Sequence, residues 1–237
     1  MIAQRVDAII IQAVDNDATR KITKLVTDAK IALVYVNLKP SDFDTLPAGV
    51  TVVASDEMVG GTLETREVCR LLKGQSKVLV LMGDLVHDAT RTRTKAVETV
   101  AGSKECPGMK VVDKREGKWS RTNAQDITTN WMTTGIPFDA IIANNDEMAL
   151  GAIQALKATK RWTPAMVVAG IDATPDAMAS MKAGDLKVSV FQNAAAQGQQ
   201  AVDAALKPIK KQPVGKFVNV PFELVTPQNM AQYMGKT

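Results

Sequence analysis

Short apolar runs alternate with amphipathic stretches along the chain. Runs of β-branched and aliphatic residues predict strands at 7–12, 31–37, 50–55, 77–83, 109–113, 139–144, 165–171, 187–192 and 216–224. Most of these runs are continuous rather than alternating, which is typical of strands covered on both faces. The pattern therefore predicts α/β architecture with parallel sheets, in which helices connect successive strands.

Three of the stretches between these strands show a clear helical period. Their apolar residues recur at i, i+3, i+4 and i+7, which predicts one buried face for each helix. The predicted faces are Ile22, Leu25, Val26 and Ala29; Ala124, Ile127 and Trp131; and Ala149, Ala152, Ile153 and Leu156. The first of these helices is expected to begin at a cap formed by Asn16 or Asp17.

Composition limits the classes of protein to which this chain can belong. Its 237 residues suit one large domain or two of ordinary size. The net charge is +4, and the basic residues are scattered rather than interleaved with aromatics, so we expect no nucleic-acid partner. No apolar run approaches the ~20 residues that span a bilayer, and the first residues do not read as a signal peptide. We therefore expect no membrane insertion.

The few reactive side chains argue against catalysis. The separation of Cys69 and Cys106 suits neither a zinc knuckle nor a CxxC redox pair, so two buried thiols are expected, with one disulfide as the alternative. His87 is the single histidine, and no phosphate-binding glycine loop or HExxH motif occurs. We expect no enzyme activity, no cofactor and no metal site.

Polar residues follow nearly every predicted strand. In parallel α/β sheets, ligands bind outside the carboxyl ends of the strands. Helix capping accounts for Asp146 and Asp176. It accounts less well for Asn145, Asp172 and Gln192, because Gln caps poorly and Thr174 is a better cap than Asp172. Such neutral donors and acceptors suit the hydroxyls of a polyol.

Several longer segments resemble one known family. "AIIANNDEMALGAIQALKA", "VVAGIDATPDAMASMKAGDLKVSVFQNAAAQGQQAVDAAL" and "VPFELVTPQNM" resemble the periplasmic sugar-binding proteins of ABC importers, of the ribose/galactose type. The segments "DATRTRTKAV", "GKWSRTNAQDI" and "FELVTPQNMAQY" are most similar to the inositol-binding branch. The resemblance covers essentially the whole chain.

This resemblance implies a fold and a way of working. It implies two Rossmann-like parallel-sheet lobes of the type I periplasmic binding protein, with an incomplete N-terminal lobe. The lobes would be 1–55 plus 193–219 and 56–192 plus 220–237. A sugar or cyclitol such as myo-inositol or ribose would be captured by hinge closure of the lobes and passed to an ABC permease. A periplasmic location and a monomer are expected.

The resemblance also implies a set of ligand-binding residues. Carried over by position, they are Asn37, Arg93, Trp119, Arg121, Asn145, Asp172 and Gln192. An arginine fork can grip two adjacent hydroxyls, and a carboxylate accepts strong O–H bonds. Trp119 offers an apolar face to a ring, although a packed surface aromatic is the alternative. Spacing alone does not separate Arg93 from Arg91, and Arg93 follows the family position.

The chain departs from the family pattern in two ways. Leu38 stands where the family has an arginine after the residue aligned with Asn37, so one bidentate donor is missing. The family also begins with an additional β-α-β-α stretch, and without it strand 7–12 is expected to form an exposed edge. These departures favour one alternative, a truncated remnant that binds nothing. The motif "NDEMALGA" leaves a second, the effector-binding core of a lac-repressor-type regulator.

Overall fold

The computed structural model describes residues 1–236 as an α/β protein with parallel sheets, which confirms the predicted fold class. The strands are β1 (Ala8–Ile11), β2 (Ala32–Val36), β3 (Val50–Ala54), β4 (Gln75–Met82), β5 (Gly108–Glu116), β6 (Ala140–Ala143), β7 (Val167–Ala169), β8 (Ser189–Phe191), β9 (Phe217–Asn219) and β10 (Glu223–Val225). The helices are α1 (Thr19–Asp28), α2 (Glu57–Leu71), α3 (Asp88–Ala101), α4 (Arg121–Thr134), α5 (Asp146–Ala158), α6 (Pro175–Lys182) and α7 (Ala194–Ile209). None of these helices combines the length and hydrophobicity that a membrane crossing requires.

The chain forms two compact units. The smaller unit contains Met1–Asp56, Val86–Ala89 and Asn193–Pro221. The larger unit contains Glu57–Leu85, Thr90–Gln192 and the residues from 222 onward. The lobe boundaries inferred from the sequence stay a prediction. The observed boundaries differ from them by up to two residues, and 86–89 cluster with the smaller unit.

The smaller unit is built on one parallel sheet with the strand order β1-β2-β3-β9. Leu33, Tyr35 and Val52 lie in its core and are fully buried. Within residues 1–236, strand β1 pairs with β2 alone, so it is an edge strand, as expected for strand 7–12. Its Ile10 is 38% exposed, consistent with a strand that has a neighbour on one side only.

The larger unit contains a parallel sheet with the strand order β5-β4-β6-β7 and a separate antiparallel pair of β8 and β10. The single strand predicted at 216–224 is wrong. The chain forms β9 and β10 there, and the two strands belong to different sheets. Pro221 lies between them, and a proline has no N–H to continue a ladder of hydrogen bonds.

The first helix differs from its predicted pattern. Ala18 is the N-cap residue of α1 and forms no side-chain cap, so the predicted caps at Asn16 and Asp17 are wrong. Leu25 is 51% exposed, whereas the hydroxyl of buried Thr23 lies 2.9 Å from the Tyr35 hydroxyl. Hydrogen-bonded threonines, rather than the apolar series alone, therefore form the buried face of this helix.

The two cysteines form a disulfide, so the expectation of two thiols is wrong. The bond joins Cys69 near the end of α2 to Cys106 just before β5. The intervening strand and helix bring these residues together, and their Cα atoms lie 6.1 Å apart. The separation of Cys69 and Cys106 in the sequence does not by itself predict that they are close in space.

Helices α4 and α5 pack tightly against each other in the larger unit. The predicted apolar faces are confirmed, with Ala124, Trp131 and all four predicted residues of α5 buried. Gly151 lies at the contact, where an added Cβ would come within 2.1 Å of the Arg121 carbonyl oxygen. A glycine inside a helix is unfavourable by about 1 kcal/mol, and here it permits the close approach of the two backbones.

We expect Gly151→Ala to destabilise the protein by about 2 kcal/mol, because the backbones of α4 and α5 must move apart. Gly198→Ala is the matched control, since Gly198 is also helical and an added Cβ there meets nothing within 4 Å. The control should be as stable as the wild type, or more stable by up to about 1 kcal/mol. Urea denaturation measures both, and equal stability of the two variants would contradict the packing described here.

Candidate functional site

Neighbouring strands of the larger unit bring polar residues to one edge of the sheet. Strands β4 and β6 lie side by side and run in the same direction, so the residues after them are neighbours. Asn144 follows β6, and its side-chain oxygen accepts a hydrogen bond from the Gly83 N–H just after β4, at 3.1 Å. Arg93 of α3 reaches the same edge, where its Nη1 donates to the Asn144 carbonyl at 2.6 Å.

Arg93 is buried and held on several sides. Its Nε donates to Glu57 Oε2 at 2.5 Å, and the two side chains are only 5% and 11% exposed. Its guanidinium lies 5.8 Å from the Trp119 ring centre and 5.6 Å from that of Phe222. The structure therefore brings the predicted residues Arg93 and Trp119 together and fixes the arginine through a buried ion pair.

The Trp119 ring packs against the backbone of Gly83, just after β4. A Cβ added at Gly83 would lie 2.2 Å from the ring, so any side chain at position 83 would clash with the indole. Trp119 also has a φ of 62°, in the left-handed region that disfavours residues with a side chain. These two unusual positions set the orientation of the ring.

Asp172 is close enough to this cluster to interact electrostatically with Arg93. Burial raises the pKa of its carboxyl to about 8; the Arg93 charge opposes this rise, and the Asp146 and Glu57 carboxylates add to it. Asp172 and Ala173 have φ values of 128° and 57°, which are strained for residues other than glycine. The Asp172 N–H donates to the Val190 carbonyl at 2.7 Å, which helps to hold this backbone.

The cap predicted at Asp146 is wrong, while the predicted ligand contact of Asn145 stays a prediction. Asn145, rather than Asp146, is the N-cap of α5, and its Oδ1 accepts from the Met148 N–H at 3.1 Å. The Asp146 carboxylate accepts from the Thr174 N–H at 2.9 Å and from the Ser189 hydroxyl at 2.8 Å. Burial nevertheless raises the pKa of Asp146 to about 6. Asn145 has the extended backbone that a cap requires, and this distinguishes it from the next residue.

Arg121 is engaged by two carboxylates. Its Nε and Nη2 donate to Glu147 at 2.9 and 2.8 Å, and Nη2 also donates to Asp176 at 2.8 Å. The cap predicted at Asp176 is wrong, because the Thr174 hydroxyl caps α6. The Arg121 side chain is 31% exposed, so these pairs contribute little to stability individually. They do hold the guanidinium in one orientation.

Gln192 directly follows β8 and is half-buried. Its Nε2 is buried and has no hydrogen-bond partner within residues 1–236. A buried donor without a partner costs about 1–3 kcal/mol, so a ligand oxygen that accepts from it would recover this free energy. This is the behaviour expected of a residue that contacts a ligand.

The sequence did not indicate Glu57 or Glu64. Glu64 of α2 is fully buried, and neither carboxyl oxygen has a hydrogen-bond partner among the described residues. Burial raises its pKa well above the usual value, while the Arg93 charge opposes that rise. A charged residue between Gly61 and Val68 on a buried helix face was the available signal. In residues 1–236, no three His, Cys, Asp or Glu side chains gather as a metal site.

Asn37 is the one predicted site residue that lies in the smaller unit. It follows β2 with a φ of 68°, and its side chain is bonded to Gln12 at 3.2 Å and to Gln197 at 3.1 Å. The neighbouring Leu38 is half-buried. The role of the seven predicted residues in ligand binding stays a prediction.

Comparisons with known proteins agree with this fold. A family described as "Periplasmic binding protein domain" matches residues 1–213. A Rhizobium meliloti protein, for which rhizopine binding is proposed, is 52% identical over 235 residues, which cover 99% of this chain and 76% of that protein.

Solved structures give the same result. An ABC transporter solute-binding protein of Bacillus halodurans with bound myo-inositol is 36% identical, with a TM-score of 0.93, covering 100% of this chain and 80% of that one. The myo-inositol-binding protein of Caulobacter, bound to myo-inositol, is 26% identical with a TM-score of 0.89. That comparison covers 99% of this chain and 79% of the Caulobacter chain.

We expect Glu57→Gln to destabilise the protein by about 3 kcal/mol, because it leaves the buried Arg93 guanidinium without its ion-pair partner. Glu147→Gln is the control, since it removes a carboxylate from the more exposed Arg121 and should cost less than about 1 kcal/mol. Thermal unfolding at neutral pH compares the two. If both variants lost similar stability, burial of Arg93 would not be the reason why its pair with Glu57 stabilises the protein.

We also expect stability to fall as pH rises from about 4 to about 8. The folded state holds the Asp172 proton in this range while the unfolded state has released it, so the unfolded state binds fewer protons. Asp172→Asn should flatten this slope, whereas Asp126→Asn, which alters an exposed residue of α4, should not. Urea denaturation at several pH values measures the slope. An unchanged slope in Asp172→Asn would contradict the raised pKa.

Proposed function

The chain belongs to the periplasmic binding protein domain family, whose sugar-binding members serve ABC importers, and we propose that it captures myo-inositol or a closely related cyclitol. The observation that carries this proposal is the buried Arg93 cluster at the strand ends of the larger unit. A fixed guanidinium, an indole face and a carboxyl are suited to a ring that carries hydroxyls on every carbon.

The charge balance of these residues supports an uncharged ligand. The Arg93 charge is neutralised by Glu57, and the Arg121 charge is neutralised by Glu147 and Asp176. Neither arginine therefore offers the net positive charge that would attract a phosphate or carboxylate ligand. Hydrogen bonding remains, and a hydroxyl can both donate and accept.

Asp172 adds to this support. With a pKa raised to about 8, its carboxyl is mostly protonated at neutral pH. A protonated carboxyl both donates and accepts, so it can pair with a hydroxyl in either direction. The Trp119 face would pack against the C–H groups of the ring.

The relatives narrow the ligand class. Two solved relatives hold myo-inositol, and the Rhizobium meliloti relative is a proposed rhizopine-binding protein. The sequence resemblance places Leu38 where the family has an arginine, so the smaller unit would lack one bidentate donor. We therefore expect the affinity or the selectivity of this chain to differ from that of the family members that keep the arginine.

Membership of this family supports delivery to a permease, because its sugar-binding members bring bound sugars to ABC transporters. We propose that this chain does the same in the periplasm. The Cys69–Cys106 disulfide fits that location, because disulfides persist in oxidising compartments.

Calorimetry with myo-inositol, D-ribose, D-galactose and D-xylose tests the ligand class. We expect myo-inositol to bind most tightly, and Asp172→Ala and Arg121→Ala each to weaken its binding at least tenfold. Asp126→Ala, in an exposed residue of α4, should bind as the wild type does. A ligand that binds only the folded state also raises the melting temperature. The proposal fails if none of these compounds produces either heat or a thermal shift.

A further inference from the structure

A chain of amide hydrogen bonds lies at the strand ends of the smaller unit. Gln12 Nε2 donates to Asn37 Oδ1 at 3.2 Å, and Asn37 Nδ2 donates to Gln197 Oε1 at 3.1 Å. Gln197 Nε2 in turn donates to Ser55 Oγ at 3.0 Å. The chain thus runs from an exposed glutamine, through Asn37, to a buried serine directly after β3.

Gln197 is the buried member that connects this chain to a helix. It lies in the first turn of α7 and is 2% exposed, and its backbone N–H donates to the Asn193 carbonyl at 2.9 Å. Both ends of its side-chain amide are occupied, one by Asn37 and the other by Ser55. Rotation of this amide alone would break its bond to Asn37 in a place that water does not reach, so the orientations of the Gln197 and Asn37 amides are coupled.

The backbone of Asn37 is held, and only its side-chain amide can still rotate. Its backbone is in the left-handed region, and its N–H donates to the Val53 carbonyl at 2.9 Å, so the base of the side chain is held. Rotation of the amide would exchange the oxygen and the nitrogen. Because Gln197 presents an oxygen, the Asn37 nitrogen must face α7, and its oxygen must face Gln12 and the half-exposed side.

We propose that Gln197 is a positioning residue that sets the hydrogen-bonding polarity of Asn37, so that Asn37 presents an acceptor to a ligand hydroxyl. This inference rests on the proposed function, in which Asn37 contacts a polyol. Gln197 itself need not touch the ligand. It determines which of two chemically opposite groups the ligand meets.

Two substitutions at this position separate orientation from packing. Gln197→Met keeps the length of the side chain and removes both hydrogen bonds. Gln197→Glu keeps the oxygen that faces Asn37, and its buried carboxyl, when protonated, donates to Ser55. Gln199→Met is the matched control, because it makes the same change at an exposed position of the same helix.

Calorimetry with myo-inositol is the first measurement. We expect Gln197→Met to bind at least tenfold more weakly, and Gln197→Glu to bind within about threefold of the wild type at pH 6. The ionised carboxyl still accepts from Asn37 and can accept from the Ser55 hydroxyl, so the Glu variant should keep this affinity as the pH rises. If Gln197→Met binds as tightly as the wild type, Gln197 does not position Asn37 for the ligand.

A second measurement needs no ligand. The melting temperatures of Asn37→Ala, Gln197→Met and the double variant form a cycle that reports the coupling of the two side chains. We expect the double variant to melt well above the temperature that the sum of the single losses predicts. Additive losses would overturn the proposal. If the wild type binds none of the polyols, the proposed function fails, and this cycle still decides whether Gln197 holds Asn37.

Discussion

The buried ion pair of Arg93 and Glu57 is the interaction on which the candidate site of the larger unit depends. A guanidinium that is removed from water must find a carboxylate and enough acceptors, or it is too costly to bury. Glu57 at the start of α2 supplies the carboxylate, and the Asn144 carbonyl after β6 supplies an acceptor. One side chain of α3 therefore ties a helix start to a strand end. The Trp119 ring then packs against this fixed cation.

Close backbone approaches make this arrangement possible. Gly83 leaves room for the Trp119 ring, and Gly151 lets α5 approach the first turn of α4, where Arg121 begins the helix. In both places an added Cβ would meet another group at 2.2 Å or less. Trp119 and Arg121 can therefore occupy these positions because Gly83 and Gly151 have no Cβ atom. Rigid placement of this kind matters for a binding protein, since each side chain ordered in advance costs nothing on association.

The alternation of strands and helices could be predicted from the sequence, because the apolar runs that form a buried parallel sheet are continuous and easily recognised. The polar residues at strand ends could also be found, since topology alone brings them to one edge. The choice between Asn145 and Asp146 as the cap of α5 could not be predicted, because it depends on the extended backbone conformation of Asn145. The disulfide of Cys69 and Cys106 depends on distance in space, and the buried partner Glu57 looks like any helix-start carboxylate.

The same physics explains why this site would select its ligand by hydrogen-bond direction. Both arginines are neutralised by carboxylates, so the charges of the larger unit largely cancel. What remains in the larger unit is a set of groups with a definite donor or acceptor side, such as Gln192 Nε2, which has no hydrogen-bond partner within residues 1–236. The smaller unit has, by itself, the Asn37 amide held by Gln197. A cyclitol differs from its stereoisomers only in where each hydroxyl points. Discrimination among them therefore requires amides that cannot rotate to accommodate the wrong isomer, because a free amide would satisfy either one.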